Sequence, residues 1–401
     1  MNEITLQPNV QFLYEEQLAR VELDALGCDR YQRDADNPWQ FTAHVNGTTA
    51  DVLERSAYIG SVDGQPSVYR QLITQNYKGG NFNRTRSVNQ YLTHWIYPYR
   101  GKFHPQMVRA LLNIIGVRKG SLVCEPYLGS GTTAIEASLL GADIVGVDLS
   151  PLCVLLTRVK TQSYKAVEAI RARVHRLLSQ SSLDVEDPKC WRDRDSNVQD
   201  FLQIARMVTL SDVARRRRGS DAALRKNLAA MLESIEAYGR AFKQFDITPG
   251  QVNVSVGDCR DLRTVGVRDD SIDGIVTSPP YSIALDYVKN DAHALEALEV
   301  DLSKLSQTMT GVRGRGAKEK LELYNHDMQK MFAEVARVLK PGAQAVFVIG
   351  DATVDGREYT TTAQMATWAQ NAGLTRVRTL PKIVYGLYSV MTDEKIIFFK
   401  K

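Results

Sequence analysis

Leu122-Val123-Cys124-Glu125-Pro126-Tyr127-Leu128-Gly129-Ser130-Gly131-Thr132-Thr133 is the stretch on which the fold turns. Leu122-Val123-Cys124 is an apolar run of strand length, and Thr132 to Leu140 carries a helical pattern stopped by Gly141. Between them, Gly129 and Gly131 predict a tight turn that lets the backbone approach a ligand closely. The free N–H groups of the helix N-terminus point at the same spot. Ile144 to Val147 reads as the next strand, closed by Asp148, whose carboxylate would accept hydrogen bonds from ribose hydroxyls. Strand, glycine loop, helix, strand and acid in this order predict a site for an adenosine-containing cofactor.

Outward from this unit, Val252 to Val256, Ile272 to Val276, Ala345 to Ile349 and Ile396 to Phe399 read as further strands. Short apolar strands separated by helices predict an α/β fold with a doubly wound, mostly parallel sheet covered on both faces. The alternation stops between Pro151 and Gly250. There Leu224, Leu228, Met231, Ile235, Tyr238, Phe242 and Phe245 form one apolar stripe on a long helix, expected to pack on a neighbour. A helical insertion is therefore placed at about 155–250. Residues 1–95 form an N-terminal region of mixed pattern, helical near Gln11 to Leu26 and loop-rich around Lys78 to Asn81. Residues 96–401 form the main domain.

Gly129-Ser130-Gly131-Thr132-Thr133-Ala134 also fits the dinucleotide fingerprint, so a nicotinamide-dependent dehydrogenase is one reading. Glu125 at the end of the first strand argues against it. A carboxylate there would repel a pyrophosphate, yet it suits the cationic end of S-adenosylmethionine.

A second chemical signal is Thr277-Ser278-Pro279-Pro280-Tyr281, directly after the strand at Ile272 to Val276. Pro280 biases Pro279 toward an extended backbone, and neither proline has an N–H. The Pro279 carbonyl is thus expected to point outward without a local donor. Ser278 adds a hydroxyl that can accept, and Tyr281 adds a flat face. Two acceptors and a stacking surface suit an exocyclic amino group of a nucleobase taken out of its duplex. Held by its N–H bonds, the amine would aim its lone pair at a methyl donor, so positioning and preorganised electrostatics would supply most of the rate.

Together these segments resemble the amino-methylating DNA methyltransferases, which modify cytosine N4 or adenine N6. Glu125 to Thr133 resembles their cofactor motif, with Glu125 and Tyr127 in place of the usual Asp and Phe. Thr277 to Tyr281 resembles their catalytic motif, in the Ser-Pro-Pro-Tyr form typical of N4-cytosine enzymes. Tyr97-Pro98-Tyr99-Arg100-Gly101-Lys102-Phe103-His104-Pro105-Gln106 resembles the segment over the cofactor's methionine end, and Gly257-Asp258-Cys259 matches the adenine contact.

The resemblance implies a class I S-adenosylmethionine-dependent, Rossmann-like fold acting on double-stranded DNA, cytosine N4 favoured over adenine N6. A restriction endonuclease partner would belong to a restriction-modification role. It implies a catalytic group of Ser278, Pro279, Pro280 and Tyr281. For the cofactor it implies Lys102, Phe103, His104, Glu125, Tyr127, Gly129, Ser130, Gly131, Thr132, Asp148, Leu149, Asp258, Cys259 and Ser278. An RNA amino-methyltransferase would share the catalytic loop, and a decayed core that only binds DNA would lack turnover.

Charge placement adds to this. No Asp or Glu occurs between Asp63 and Glu125, while nine cations do, leaving 41 cations against 46 anions elsewhere. Tyr69, Tyr77, Phe82, Tyr91, Trp95, Tyr97, Tyr99 and Phe103 are interleaved with them, a mixture that suits a nucleic-acid surface. The loop at 311–316 is a further candidate for target recognition. Lys78, Arg84, Arg86, Arg100, Arg313 and Arg315 are accordingly expected to contact DNA. Five cysteines without paired spacing argue against a disulfide framework or zinc, and none follows a proline as a C5-cytosine nucleophile would. Without a signal-like N-terminus or a spanning apolar run, the chain reads as cytoplasmic.

Overall fold

The computed structural model describes residues 1–74, 88–216, 220–282, 285–354, 357–385 and 391–401. The N-terminal region is more ordered than its mixed pattern predicts. Strands β1 (Asn2–Leu6), β2 (Cys28–Arg33), β3 (Gln40–Val45), β4 (Ile59–Val62) and β5 (Gln65–Pro66) form an antiparallel sheet in the order β2-β3-β1-β4-β5. Helix α1 (Leu13–Ala25) falls inside the helix read at Gln11 to Leu26, and α2 (Thr49–Arg55) and α3 (Val68–Thr74) follow. Lys78 to Asn81 lie outside the described residues.

The main domain is the expected doubly wound sheet. Its strands are β6 (Leu122–Glu125), β7 (Asp143–Asp148), β8 (Val252–Val256), β9 (Ile272–Thr277) and β10 (Leu339–Gly350). A short hairpin, β11 (Ala352–Val354) and β12 (Arg357–Tyr359), precedes β13 (Thr375–Tyr385) and β14 (Met391–Lys400). Their order is β8-β7-β6-β9-β10-β14-β13, parallel from β8 through β10, with β14 antiparallel to both its neighbours.

Side-chain alternation along the strands divides the core in two. Val123, Val346, Val348, Ile396 and Phe398 face one side with α1 and α4 (Pro105–Ile114). Cys124, Phe347, Ile349, Ile397 and Phe399 face the other, under helices given below. The chain order reverses beside β6, which pairs with β7 on one side and β9 on the other. Ligands bind at such a switch point, outside the carboxyl ends of the strands.

Helix α5 (Thr132–Leu139) follows the glycine loop, and α6 (Pro151–Gln162) packs on β8. The insertion contains α7 (Val167–Leu178), α8 (Ser196–Arg216) and α9 (Ser220–Gln244). The α9 stripe divides its packing: Leu224, Leu228, Met231 and Ile235 join α7 and α8, while Tyr238 and Phe242 join Tyr69, Leu72 and Ile135. The insertion is thereby fastened to both the N-terminal region and the cofactor helix. After β9 come α10 (Tyr287–Asn290), α11 (Ala292–Ala297) and α12 (Leu302–Thr308), then α13 (Gly316–Val338) and, after β12, α14 (Thr361–Asn371). Helices α13 and α14 cover the second sheet face. No helix among the described residues is long and apolar enough to cross a membrane.

Candidate active site

At the switch point lies a cleft whose space, open solvent included, is about 920 Å³. The glycine loop forms its floor. Gly131 has φ +76°, and a Cβ there would stand 2.4 Å from Thr157 Oγ1 on α6, so the loop can lie this close only without a side chain. Gly129 also has positive φ, with the Tyr99 ring 3.4 Å from where its Cβ would be. From behind, buried Lys160 of α6 donates to the Ser130 carbonyl at 2.9 Å.

Three carboxylates line the cleft: Glu125, Asp148 and Asp291. Glu125 Oε2 accepts from Thr133 Oγ1 at 2.7 Å, and Oε1 accepts from Thr277 Oγ1 and from the Tyr127 N–H at 3.1 Å. Burial outweighs these bonds and pushes its pKa up to about 8. Asp148 accepts from the Gly129 and Ser150 N–H groups, each at 2.9 Å, and burial raises it as well. Its bond to Gly129 ties the end of β7 to the loop. No Lys, Arg or His is among the described residues lining the cleft. A pyrophosphate would find carboxylates and no counter-charge there, so the dehydrogenase reading loses its electrostatic basis. A sulfonium with an ammonium group fits the same wall.

Phe103, Glu125, Tyr127, Gly129, Ser130, Thr132, Asp148, Leu149, Cys259, Ser278 and Pro280 line the cleft together. Lys102, His104, Asp258, Gly131, Pro279 and Tyr281 are not in its wall. Each of the first three has another engagement. Lys102 Nζ donates to the Asn89 and His94 carbonyls, and burial lowers its pKa to about 7. His104 is the N-cap of α4, its Nδ1 accepting the Met107 N–H. Asp258 pairs with Arg260 at 2.6 Å, and Arg260 also reaches the buried Asp327. Gly131 acts through the loop's shape.

The catalytic loop meets the cleft through Ser278 and Pro280. Ser278 Oγ donates its hydrogen to the Val348 carbonyl at 3.0 Å, so toward any further donor its oxygen acts as an acceptor. The Pro280 carbonyl takes the Tyr324 hydroxyl and the Ser282 N–H, both at 2.9 Å. Among the described residues none donates to the Pro279 carbonyl. The Tyr281 ring lies against Gly350 at the end of β10, 3.3 Å from where a Cβ would stand.

The basic stretch is not one open surface. Arg109 is fully buried and pairs with Glu136, and Tyr69, Tyr91 and Tyr97 are core residues closed to stacking on bases. Tyr99 and Phe103 line the cleft, and Trp95 Nε1 donates to Ser234 of α9. Arg313 is held by Asp327, whereas Arg100 and Arg315 are exposed. Lys78, Arg84, Arg86, Tyr77 and Phe82 lie outside the described residues.

Two residues escaped sequence reading. Asp291 reaches the cleft from beyond the catalytic loop, and no motif marks it. Cys153 also lines the cleft, beside the expected Cys259. Burial raises both thiols, Cys259 to about 12, so neither supplies a thiolate nucleophile. Among the described residues no cluster of His, Cys, Asp or Glu could hold a metal ion.

Residues 96–178 match the family model described as UPF0020, an RMKL-like methyltransferase domain. The chain is 39% identical over 71 residues to the Type II methyltransferase M.MjaII of Methanocaldococcus jannaschii, covering 18% of this chain and 13% of that one. It is 21% identical over 319 residues to the Type II methyltransferase M.BsoBI of Geobacillus stearothermophilus, covering 63% and 62%. With the tRNA (guanine(10)-N2)-dimethyltransferase of Methanothermobacter thermautotrophicus it shares 34% over 94 residues, 22% and 28% of the two chains. The chain thus spans less than two thirds of each of these relatives. The matched domain is a methyltransferase domain, the fold is of the class I, Rossmann-like kind, and S-adenosylmethionine is the cofactor such a domain implies.

Proposed function

We propose that this protein transfers a methyl group from S-adenosylmethionine to an exocyclic amine of a base in double-stranded DNA, cytosine N4 before adenine N6. The observation that carries the reading is the meeting of Ser278 and Pro280 with Glu125 and the glycine loop in one cleft. When bound, the cofactor supplies an electrophilic methyl carbon on sulfur.

The protein's part is placement. Glu125 and Asp148 provide negative charge for the cofactor's cationic groups and acceptors for its ribose. Ser278 Oγ, its own hydrogen committed to Val348, accepts one N–H of the target amine, and the Pro279 carbonyl accepts the other. With both hydrogens held, the nitrogen lone pair is turned toward the methyl group. Tyr281, backed by Gly350, supplies the face on which the flipped base stacks. We assign residues 1–95 and the exposed Arg100 and Arg315 to nucleic-acid contact. A restriction partner would act on the same DNA site.

An RNA amine is the second reading, favoured by the similarity over 94 residues to a tRNA dimethyltransferase. Methyl-labelled S-adenosylmethionine, offered duplex DNA and total RNA separately, separates the two after digestion to nucleosides. Label in N4-methylcytosine is the expected result; label only in RNA nucleosides would overturn the substrate. Ser278→Ala and Tyr281→Ala should each lower turnover on the order of 100-fold while leaving cofactor affinity within a few-fold. Parallel loss of binding and turnover would remove the catalytic role of the loop.

A further inference from the structure

Asp327 and Met328 lie three and four positions after Tyr324, on one face of α13. Tyr324 donates its hydroxyl to the Pro280 carbonyl at 2.9 Å, and Met328 Sδ accepts from the Tyr127 hydroxyl at 3.6 Å. Between these contacts Asp327, fully buried, takes two arginines. Arg313 donates Nε to Oδ2 at 2.9 Å and Nη2 to Oδ1, a two-point fork, while Arg260 Nη1 reaches Oδ1 at 2.7 Å.

The two arginines bracket the link between α12 and α13. Arg260 Nη2 donates to the Thr308 carbonyl at 3.0 Å, and Arg313 closes the other end. Between them, Met309 and Thr310 line the cleft. At Gly311 a Cβ would stand 2.5 Å from the Ser282 carbonyl oxygen and 3.5 Å from Pro280 Cβ, so the catalytic loop rests directly on this backbone. The short link thus touches the cofactor's cleft on one side and the catalytic loop on the other. Breaking either arginine pair costs a buried charge a partner, which holds the link in one place. Such placement matters for rate, since reacting atoms misplaced by about 1 Å lose on the order of 100-fold.

We propose that Arg313, through its fork to Asp327, is a positioning residue for methyl transfer: it holds 309–311 as a strut that sets where the Ser278–Pro280 loop stands in the cleft. The inference rests on the methyl-transfer reading above. Steady-state methylation of duplex DNA with labelled S-adenosylmethionine tests it, with the rate expressed per cofactor-binding site counted by titration calorimetry. Arg313→Ala should lower kcat per site on the order of tenfold, with KM for DNA and cofactor affinity each within about threefold of wild type. Arg313→Lys keeps the charge but loses the fork, and should recover part of that loss. Gly311→Ala pushes on the Ser282 carbonyl instead and should lower kcat per site with cofactor still bound. It carries the test if Arg313→Ala does not fold.

A kcat per site that stays at the wild-type value overturns the proposal. With a raised KM for DNA, that result would make Arg313 a phosphate contact; with fewer binding sites, a support of the fold alone. Cofactor affinity that falls in step with kcat overturns it too. Wild type that labels no DNA would instead overturn the reading on which the proposal rests.

Discussion

Burial and hydrogen bonding pull the Glu125 carboxyl in opposite directions, and burial wins, leaving its pKa at about 8 in the free protein. A cation bound beside it favours the ionised form, so binding below that pH releases a proton. Affinity for S-adenosylmethionine should therefore rise as pH goes from about 6 to 8, by at most tenfold per unit, and then flatten. The cofactor's own amine titrates near 8, so wild type is compared with Glu125→Gln, which should lose the rising limb of the calorimetric profile. A rise that survives in the variant would assign it elsewhere. Gly131→Ala tests the loop: with Thr157 in the way and φ positive, it should cost about 1–3 kcal/mol in urea unfolding and weaken cofactor binding. Glu125, Asp148 and Ser278 were legible because each closes a strand or opens a turn in a short motif. Asp291 was not, since its place depends on a hydrogen bond to Tyr97, far away in the chain.

Between elements, the N-terminal region is joined to the main domain through buried polar groups. Arg109 of α4 donates to the Arg55 and Glu54 carbonyls and pairs with Glu136 of α5, which also takes His94 Nε2 at 2.8 Å. Glu22 of α1 accepts from the Ala57 and Tyr58 N–H groups and from Asn113 of α4. Removing one partner of such a buried pair leaves the other uncompensated. Arg109→Met should thus cost about 3–5 kcal/mol by denaturant titration, far more than any exposed arginine.

His94 adds a pH term to the same cluster. Burial lowers its pKa from 6.5 to about 4, so the unfolded chain takes up a proton before the native one does. Stability should fall as pH drops through that window, by about 3 kcal/mol in all, and His104, lowered to about 3, acts in the same direction. The raised carboxyls of Glu125, Asp148 and Glu22 act in the opposite direction over the same range, so thermal unfolding of wild type is compared with His94→Gln between pH 7 and 4; identical pH profiles in the two would contradict the His94 contribution. The central strands were legible as apolar runs, which burial on both faces produces. Strands β1 to β4 were not, because their patterns mix buried positions with half-exposed or exposed ones, and β5 is two exposed residues. Strand β13 was missed for a related reason: as an edge strand it is exposed from Thr375 to Thr379.

At the scale of the whole molecule, the basic surplus divides into charge that supports the fold and charge open to a polyanion. Arg109 and Arg313 belong to the first kind, Arg100 and Arg315 to the second. Replacing Arg100 or Arg315 with Ala should make the slope of log affinity for duplex DNA against log salt shallower by about 0.9 each. Arg313→Ala should lower stability through Asp327 instead. The sequence shows the excess of charge, but only the packing separates these two roles.

The pairing of β6 with β9 joins Val123 to Gly274, with α5 to α9 and two further strands in between. During synthesis, the strand bearing the glycine loop waits without its central neighbour while about 150 residues emerge, and closing so large a loop is slow. Chains stopped before β9 would show the whole cofactor motif with half a site around it. The exposed apolar edge of β6 would then be a hazard, and folding helpers would act on this protein late rather than early.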